Sequence, residues 1–274
     1  MSGNPASAPL TERFAAQSVI EELLAVQELV PPRSLLRRMF GASPLSDASW
    51  PWYRGALGEI AVGRVLAKLG PEWLVLHAVP VGSGWADIDH VLVGPAGVFT
   101  LNTKNHAGQS IWVAGQTLMV SGKKLRHLYN SAHEGARASK LLSTAVGAAV
   151  DVTAVVVIVE PKRLTIKEKP REVIVLSDRQ LLGFLQRRKA VLDAEQVQRV
   201  AAAAVNAWTW HTKPAFPGKP DELKTNFATL RRLVDQARRR RVAWVLGVPA
   251  AAFLMLFATA GPLGAAILHA LLNR

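Results

Sequence analysis

The stretch GWADIDHVLVGPAGVFTLNTKNH, residues 84–106, decides how the rest of the chain is read. Ile88–Val93 and Val98–Leu101 are two β-rich runs joined by Gly94-Pro95-Ala96-Gly97, a compact turn, so they are expected to pair antiparallel. Side chains of a strand alternate between faces. On that period Asp87 and Asp89 share one face of the first strand, and Asn102 and Lys104 share one face of the second. Antiparallel pairing then gathers an acid, an amide and a lysine at one end of the sheet. A metal-dependent hydrolytic core has that pattern, and so does an ordinary hairpin with polar ends.

Outward from this hairpin the pattern is α/β. Upstream, YRGALGEIAVGRVLAKLG (53–70) reads as an amphipathic helix with Leu57, Ile60, Ala61, Val65, Leu66 and Leu69 on its apolar side and Gly70-Pro71 as its stop. It carries Glu59 toward the same end of the hairpin. Strand-like runs follow at Trp73–Val79, Ile111–Val113 and Leu118–Val120, then a helix over 129–149. Thr153–Val159 is β-branched enough for a buried strand, Val173–Leu176 is another, and helices are expected near 178–188 and 193–210. Helix, strand meander, helix, strand and helices predict a mixed β-sheet flanked by helices.

Such a set of side chains has a use in phosphodiester cleavage. Carboxylate and amide oxygens are hard ligands suited to magnesium. A metal orients and activates water, while a lysine stabilises the charge that develops at phosphorus.

GEIAVGRVLAKLG followed by ADIDHVLVGPAGVFTLNTKNHAG resembles the nuclease-related domain, NERD, of the restriction-endonuclease-like superfamily. The likeness extends through the IWV strand and the YNSAHEGARASKLLS helix, over residues 53–178. It implies a restriction-endonuclease-like sheet, a magnesium or manganese cofactor and a nucleic-acid substrate, DNA or RNA. It also implies roles: Glu59 as the helix glutamate, Asp89 as the metal aspartate, Lys104 as the lysine, and Gln109 as a further polar residue on the next strand. The superfamily pattern places Glu or Asp two residues before the lysine, where this chain has Asn102. Asparagine offers a neutral carbonyl oxygen and cancels none of a cation's charge, so Asp87 or Glu59 would have to compensate. Two readings follow: a working nuclease with an altered metal shell (Asp89, Asn102 and Glu59), or a catalytically inactive module that binds nucleic acid or a partner protein.

Charge bears on both. The 274 residues carry 33 Lys+Arg against 20 Asp+Glu, a formal +13, which suits nucleic acid or an anionic membrane face. Lys123, Lys124 and Arg126, with His127, read as a basic turn that either grips phosphates without reading sequence or is solvated loop charge. His90 and His106 flank the site and are expected to be hydrogen-bonded bystanders. His133 and Glu134 are helix neighbours, a spacing at which side chains do not face each other. The absence of cysteine excludes disulfides and thiolate metal sites. Phosphate-binding and dinucleotide-binding glycine motifs and a nucleophile elbow are absent too.

At the ends, residues 1–52 form an extension. Its first ten residues are expected to be disordered, 11–30 to be helical, and RSLLRRMF (33–40) to be a short amphipathic helix. That helix is expected to lie on another domain or, second, on a membrane surface. A linker over 41–52 carries Trp50 and Trp52. The nuclease-like domain is expected over 53–210, with Trp208 and Trp210 packed or anchored at an interface. Residues 211–241 are expected to be a Pro-rich linker and a basic helix. Residues 242–272 lack Asp, Glu, Lys and Arg and follow Arg238–Arg241. This predicts a single transmembrane helix, the preceding domain on the cytoplasmic face of the cell membrane, and anionic lipid at the arginines. A signal peptide is not expected at the N-terminus, and a fragment 1–220 is expected to fold alone.

Overall fold

A computed structural model describes residues 10–83, 86–212 and 219–272; along the last helix, side chains are described to Leu256 and at Gly261 and His269. The tail 1–9, Gly84-Trp85 of the central motif and most of the Pro-rich linker (213–218) lie outside the described residues. A single 3-10 turn, Leu10–Glu12, leads into α1 (Gln17–Glu28), α2 (Leu35–Met39) and α3 (Ser49–Leu66). Then come β1 (Leu74–Pro80), β2 (Asp87–Gly94), β3 (Gly97–Asn105), β4 (Ser110–Ala114), β5 (Thr117–Val120) and β6 (Lys123–Leu125). After α4 (His127–Val146) follow β7 (Val152–Val159), β8 (Arg163–Glu168), β9 (Val173–Ser177), α5 (Asp178–Gln186), α6 (Ala194–Val205), α7 (Ala207–Trp210) and α8 (Pro220–Leu272).

The expected mixed α/β architecture is present. A five-stranded sheet runs β1-β2-β3-β7-β9, antiparallel from β1 to β3 and parallel from β3 to β9. Because β3 and β7 are parallel, the chain must cross over between them, and α4 makes that crossing. Val155, Val156, Val157 and Ile158 of β7 are wholly buried, as a parallel strand covered on both faces requires. One face packs against α3 and α5 through Leu92, Phe99, Leu101 and Val157; the other packs against α4 and α6 through Val91, Val93 and Val98. A four-stranded sheet, β6-β5-β4-β8, extends beside it.

Several boundaries differ from expectation, each for a local reason. The central helix starts at Ser49, not 53, because the Ser46 hydroxyl accepts the Ser49 amide at 3.1 Å, and Pro51 is tolerated in a first turn that needs no donor there. Trp50 and Trp52 therefore sit in the first turn of α3 rather than in a linker. Lys123 and Lys124 form an edge strand with β5 rather than a turn. The helix over 193–210 is broken at Asn206, whose side chain accepts the Trp208 amide at 3.0 Å and starts α7. Trp210 is a packing residue: it is buried, and its indole donates to the Ala204 carbonyl at 2.8 Å.

The C-terminal region departs most. The basic helix 221–241 also packs on the domain, because Phe227, Leu230 and Val234 meet Ile20, Leu23, Tyr53 and Ala56. A fragment ending at residue 220 would strip one wall from that cluster. From Pro220 the helix is continuous through Gly261-Pro262. The expected transmembrane helix is not shown: among the described residues no helix is long and apolar enough to cross a membrane. The described apolar side chains run only from Val242 to Leu256, shorter than the roughly 20 residues a span needs, and the four residues before them are arginines. The remainder of the expected span has no described side chains apart from Gly261 and His269.

Candidate active site

Asp89 stands where the sheet opens. The β1–β2 ladder pairs His77 with His90 and Val79 with Ile88 but skips Ala78 and Asp89, and the β2–β3 ladder ends at His90–Leu101. Ala78 has φ 48°, a left-handed conformation that costs alanine on the order of 1 kcal/mol. Beyond the break Ile88 joins the same apolar cluster as Val91 and Val93, so the strict alternation expected across 87–93 does not hold. What the broken ladder frees is the Thr103 amide, and the Asp89 carboxylate accepts it at 2.5 Å. The acid thus replaces a strand neighbour and is fixed against β3.

Two glycines bring two further acids to this point. At Gly58 an added Cβ would lie 3.0 Å from the Asn105 Cβ, so α3 rides close on β3 and carries buried Glu59 next to Asp89. At Gly135 an added Cβ would lie 2.8 Å from the Ala154 Cβ, so α4 lies equally close on the opposite face. That places Glu134 against Asn102, whose amide nitrogen is 2.7 Å from each carboxylate oxygen.

The acids crowd one another. Burial, then the charges of Asp89 and Asp87, push Glu59 well above the usual carboxylate range, against the opposing pull of Lys104. Burial also raises Asp89, opposed by Lys104 and by the Thr103 amide. Asp87 is pushed to about 6 by burial and by Asp89, and Glu134 to about 7 chiefly by burial, with its hydrogen bond to Asn102 opposing. Each shift favours the protonated acid, and the part of it that comes from neighbouring carboxylates would be relieved by a bound cation. One oxygen each of Glu59, Asp87 and Asn102 is buried without a hydrogen-bond partner. Those are hard donors, and their chemistry suits a magnesium-like ion. Their spacing is not ready-made: among the described residues no group of three or more His, Asp or Glu side chains is placed to hold a metal.

A cleft of about 970 Å³ opens onto the site between the first turn of α3, the end of β3 and the β5–β6 turn. Glu59, Asp89 and Lys104 line it, together with Arg54, His106, Gln109 and Lys123. Gln109 lies just before β4, in the connection rather than on the strand. Asn102 is buried and does not line the cleft, and Asp87 and Glu134 line a separate cavity of about 430 Å³. Of the three basic residues singled out, Lys123 reaches the cleft, Lys124 is exposed on β6, and Arg126 lies over the Tyr129 ring at 4.6 Å. His90 does not face the cleft: it is buried with its Nδ1 2.8 Å from that of His77. His106 is paired through Nε2 with His127 at 3.0 Å.

Glu134 is the residue that sequence reasoning missed. Its helix buries Leu128, Ser131, Gly135, Ala138 and Leu142, and Glu134 borders that stripe beside its glycine, which was the available signal.

Residues 54–159 match the nuclease-related domain family, NERD. An uncharacterized protein of Bacillus anthracis is 34% identical over 101 residues, which cover 35% of this chain and 42% of that protein. The chain thus matches less than half the length of that relative. No solved structure matches.

Proposed function

We propose, on the premise that residues 54–159 form a nuclease-related domain, that the chain hydrolyses phosphodiester bonds of DNA or RNA with a divalent cation, magnesium or manganese. The observation that carries this reading is the Asp89 carboxylate, pinned by the Thr103 amide at the break in the sheet, beside Glu59 and on the wall of a cleft that also presents Lys104. Asp89 and Glu59 would hold the cation, with the unpartnered Asn102 oxygen as a neutral third donor. A bound cation supplies an activated water and counters charge on the phosphoryl oxygens. Lys104 shares that second role, because an ammonium in a partly enclosed cleft is strongest where negative charge develops. Arg54 and Lys123 orient the phosphate backbone along the cleft without reading bases. Glu59 is the helper acid: without a cation its proton is held by burial beside Asp89 and Asp87, and a bound cation would take the place of that proton.

Glu134 supports the reading further. It brings to the Asn102 position, from another element, the negative charge that the strand itself lacks.

We propose also that α8 enters a membrane from Val242 onward, with the nuclease-related domain on the cytoplasmic side. Val245, Leu246, Phe253, Leu254, Met255 and Leu256 are well exposed, immediately after Arg238–Arg241. Apolar exposure next to a cationic collar is the pattern of a cytoplasmic membrane boundary.

The full chain in detergent, incubated with plasmid, linear duplex, single-stranded DNA and RNA, tests the catalytic reading. Cleavage that requires magnesium or manganese and stops in chelator supports it. One observation favours the alternative of a non-catalytic binding module, namely that no three acids or histidines are grouped for a metal. If nothing is cut, salt-dependent binding of the same nucleic acids, read by fluorescence anisotropy, decides for that alternative.

A further inference from the structure

α2 is a helix without a core. Leu35 and Leu36 are 81% and 65% exposed, and Met39 and Phe40 are about half exposed, so among the described residues its apolar side is largely uncovered, contrary to the favoured expectation that it lies on a domain. Yet α2 is firmly placed. Its end lies so close to α8 that a Cβ on Gly41 would stand 2.5 Å from both the Ala237 carbonyl oxygen and the Arg241 nitrogen. The Arg240 guanidinium donates to the Arg38 carbonyl at 3.0 Å, and the Trp244 indole donates to the Met39 carbonyl at 3.0 Å. The Phe40 and Trp244 rings are 5.1 Å apart. α2 is therefore fastened to α8 at the level where the arginines end and the apolar side chains begin.

Charge gathers at the same level. Burial, and then the charges of Arg38, Arg240 and Arg37, lower the pKa of Arg33, so the four guanidinium groups stand near one another. None of them takes part in the ion pairs found among the described residues, which join Arg199 to Glu195 and Lys224 to Asp221. A guanidinium cluster lacking acids, beside exposed leucines and a Trp–Phe pair, is complementary to one kind of surface: anionic headgroups over acyl chains.

We propose that α2 is a second membrane contact, in which Leu35, Leu36, Met39 and Phe40 enter the headgroup–acyl boundary of an anionic bilayer while Arg33, Arg37, Arg38 and Arg240 engage its phosphates. The inference rests on the reading that α8 enters a bilayer, and it adds to it. A lone helix leaves a domain free to swivel, whereas two contacts fix its orientation. α2 leads through residues 41–48 into the turn of α3 that lines the cleft, so the mouth of the cleft is held at a set attitude to the membrane.

The chain has no cysteine, so single sites can be labelled with an environment-sensitive fluorophore on the full chain. Leu36→Cys reports α2, Ala250→Cys reports α8, and Lys169→Cys, exposed just after β8, reports the domain surface. The labelled chains are reconstituted into phosphatidylcholine vesicles with or without phosphatidylglycerol, and quenching by acyl-chain nitroxide lipid is read. The expected result is quenching at 36 and 250 and none at 169. At 36 it is stronger with phosphatidylglycerol and falls when Arg37→Gln and Arg38→Gln are added. Quenching at 250 with none at 36 overturns the α2 contact and leaves the α8 anchor standing, with a protein partner as the next occupant to seek. Absence of quenching at both overturns the two together. Quenching at 36 that ignores both lipid charge and the arginine changes overturns the phosphate contact.

Discussion

The amide nitrogen of Asn102 stands 2.7 Å from both carboxylate oxygens of Glu134, joining β3 to α4 across the layer that separates sheet from helix. The contact gives the strand asparagine a purpose that its neutral oxygen alone did not suggest. It holds a carboxylate in place while its own Oδ1 is left without a partner.

If that contact is a donor–acceptor pair, Asn102→Asp should be costly. The substitution sets two buried carboxylates against each other and removes the only hydrogen-bond partner found for the Glu134 carboxylate among the described residues. A loss of about 2–3 kcal/mol is expected in chelator at pH 8, with most of it recovered in Asn102→Asp combined with Glu134→Gln. Chemical denaturation of the four chains gives the coupling directly, and an additive double change would contradict the pairing.

The acidity of Glu134 has a signed consequence. Its folded value is about 7 against an ordinary 4.5, so between those values the folded chain keeps a proton that the unfolded chain has released. Stability from this group is present in full below pH 4.5 and is lost as pH rises through 7. Glu134→Gln removes that loss. Its stability relative to the parent should be flat below pH 4 and rise to about 3 kcal/mol by pH 8. The parent's own profile is a poor readout, because His77 and His127, each lowered to about 4 by burial, act in the opposite direction over part of the same window.

Close approach of α4 to the sheet predicts that Gly135→Ala destabilises by about 1–3 kcal/mol through overpacking. The clash is with the Ala154 Cβ at 2.8 Å, so adding Ala154→Gly should return much of the loss. Gly58→Ala tests the other face, where the Cβ of Asn105 is the neighbour at 3.0 Å. Thermal unfolding reads both, and no loss in either variant would mean that the helices do not ride so low.

Much of this site was legible because its signals are local. The β2–β3 turn, the stripe of α3 and the positions of Asp89 and Lys104 follow from spacing within short segments. Glu134 was not legible: its meeting with Asn102 depends on a parallel crossover that places α4 over β3, and no periodicity in either segment specifies that. The break at Asp89 was hidden for a related reason, since Ala78 in a left-handed conformation looks like any strand alanine in sequence. The packing of the basic helix was not read, because its Lys and Arg residues outweigh in sequence the helically spaced Phe227, Leu230 and Val234, which belong to the core.

Catalysis at Asp89 and Lys104 is tested by plasmid cleavage by the full chain in magnesium, beside Asp89→Ala and Lys104→Ala, with unfolding curves to show that each variant is folded. Cleavage by the parent is expected, with a loss of at least about a hundredfold in either variant. Equal cleavage by all three folded chains would contradict catalysis at these residues.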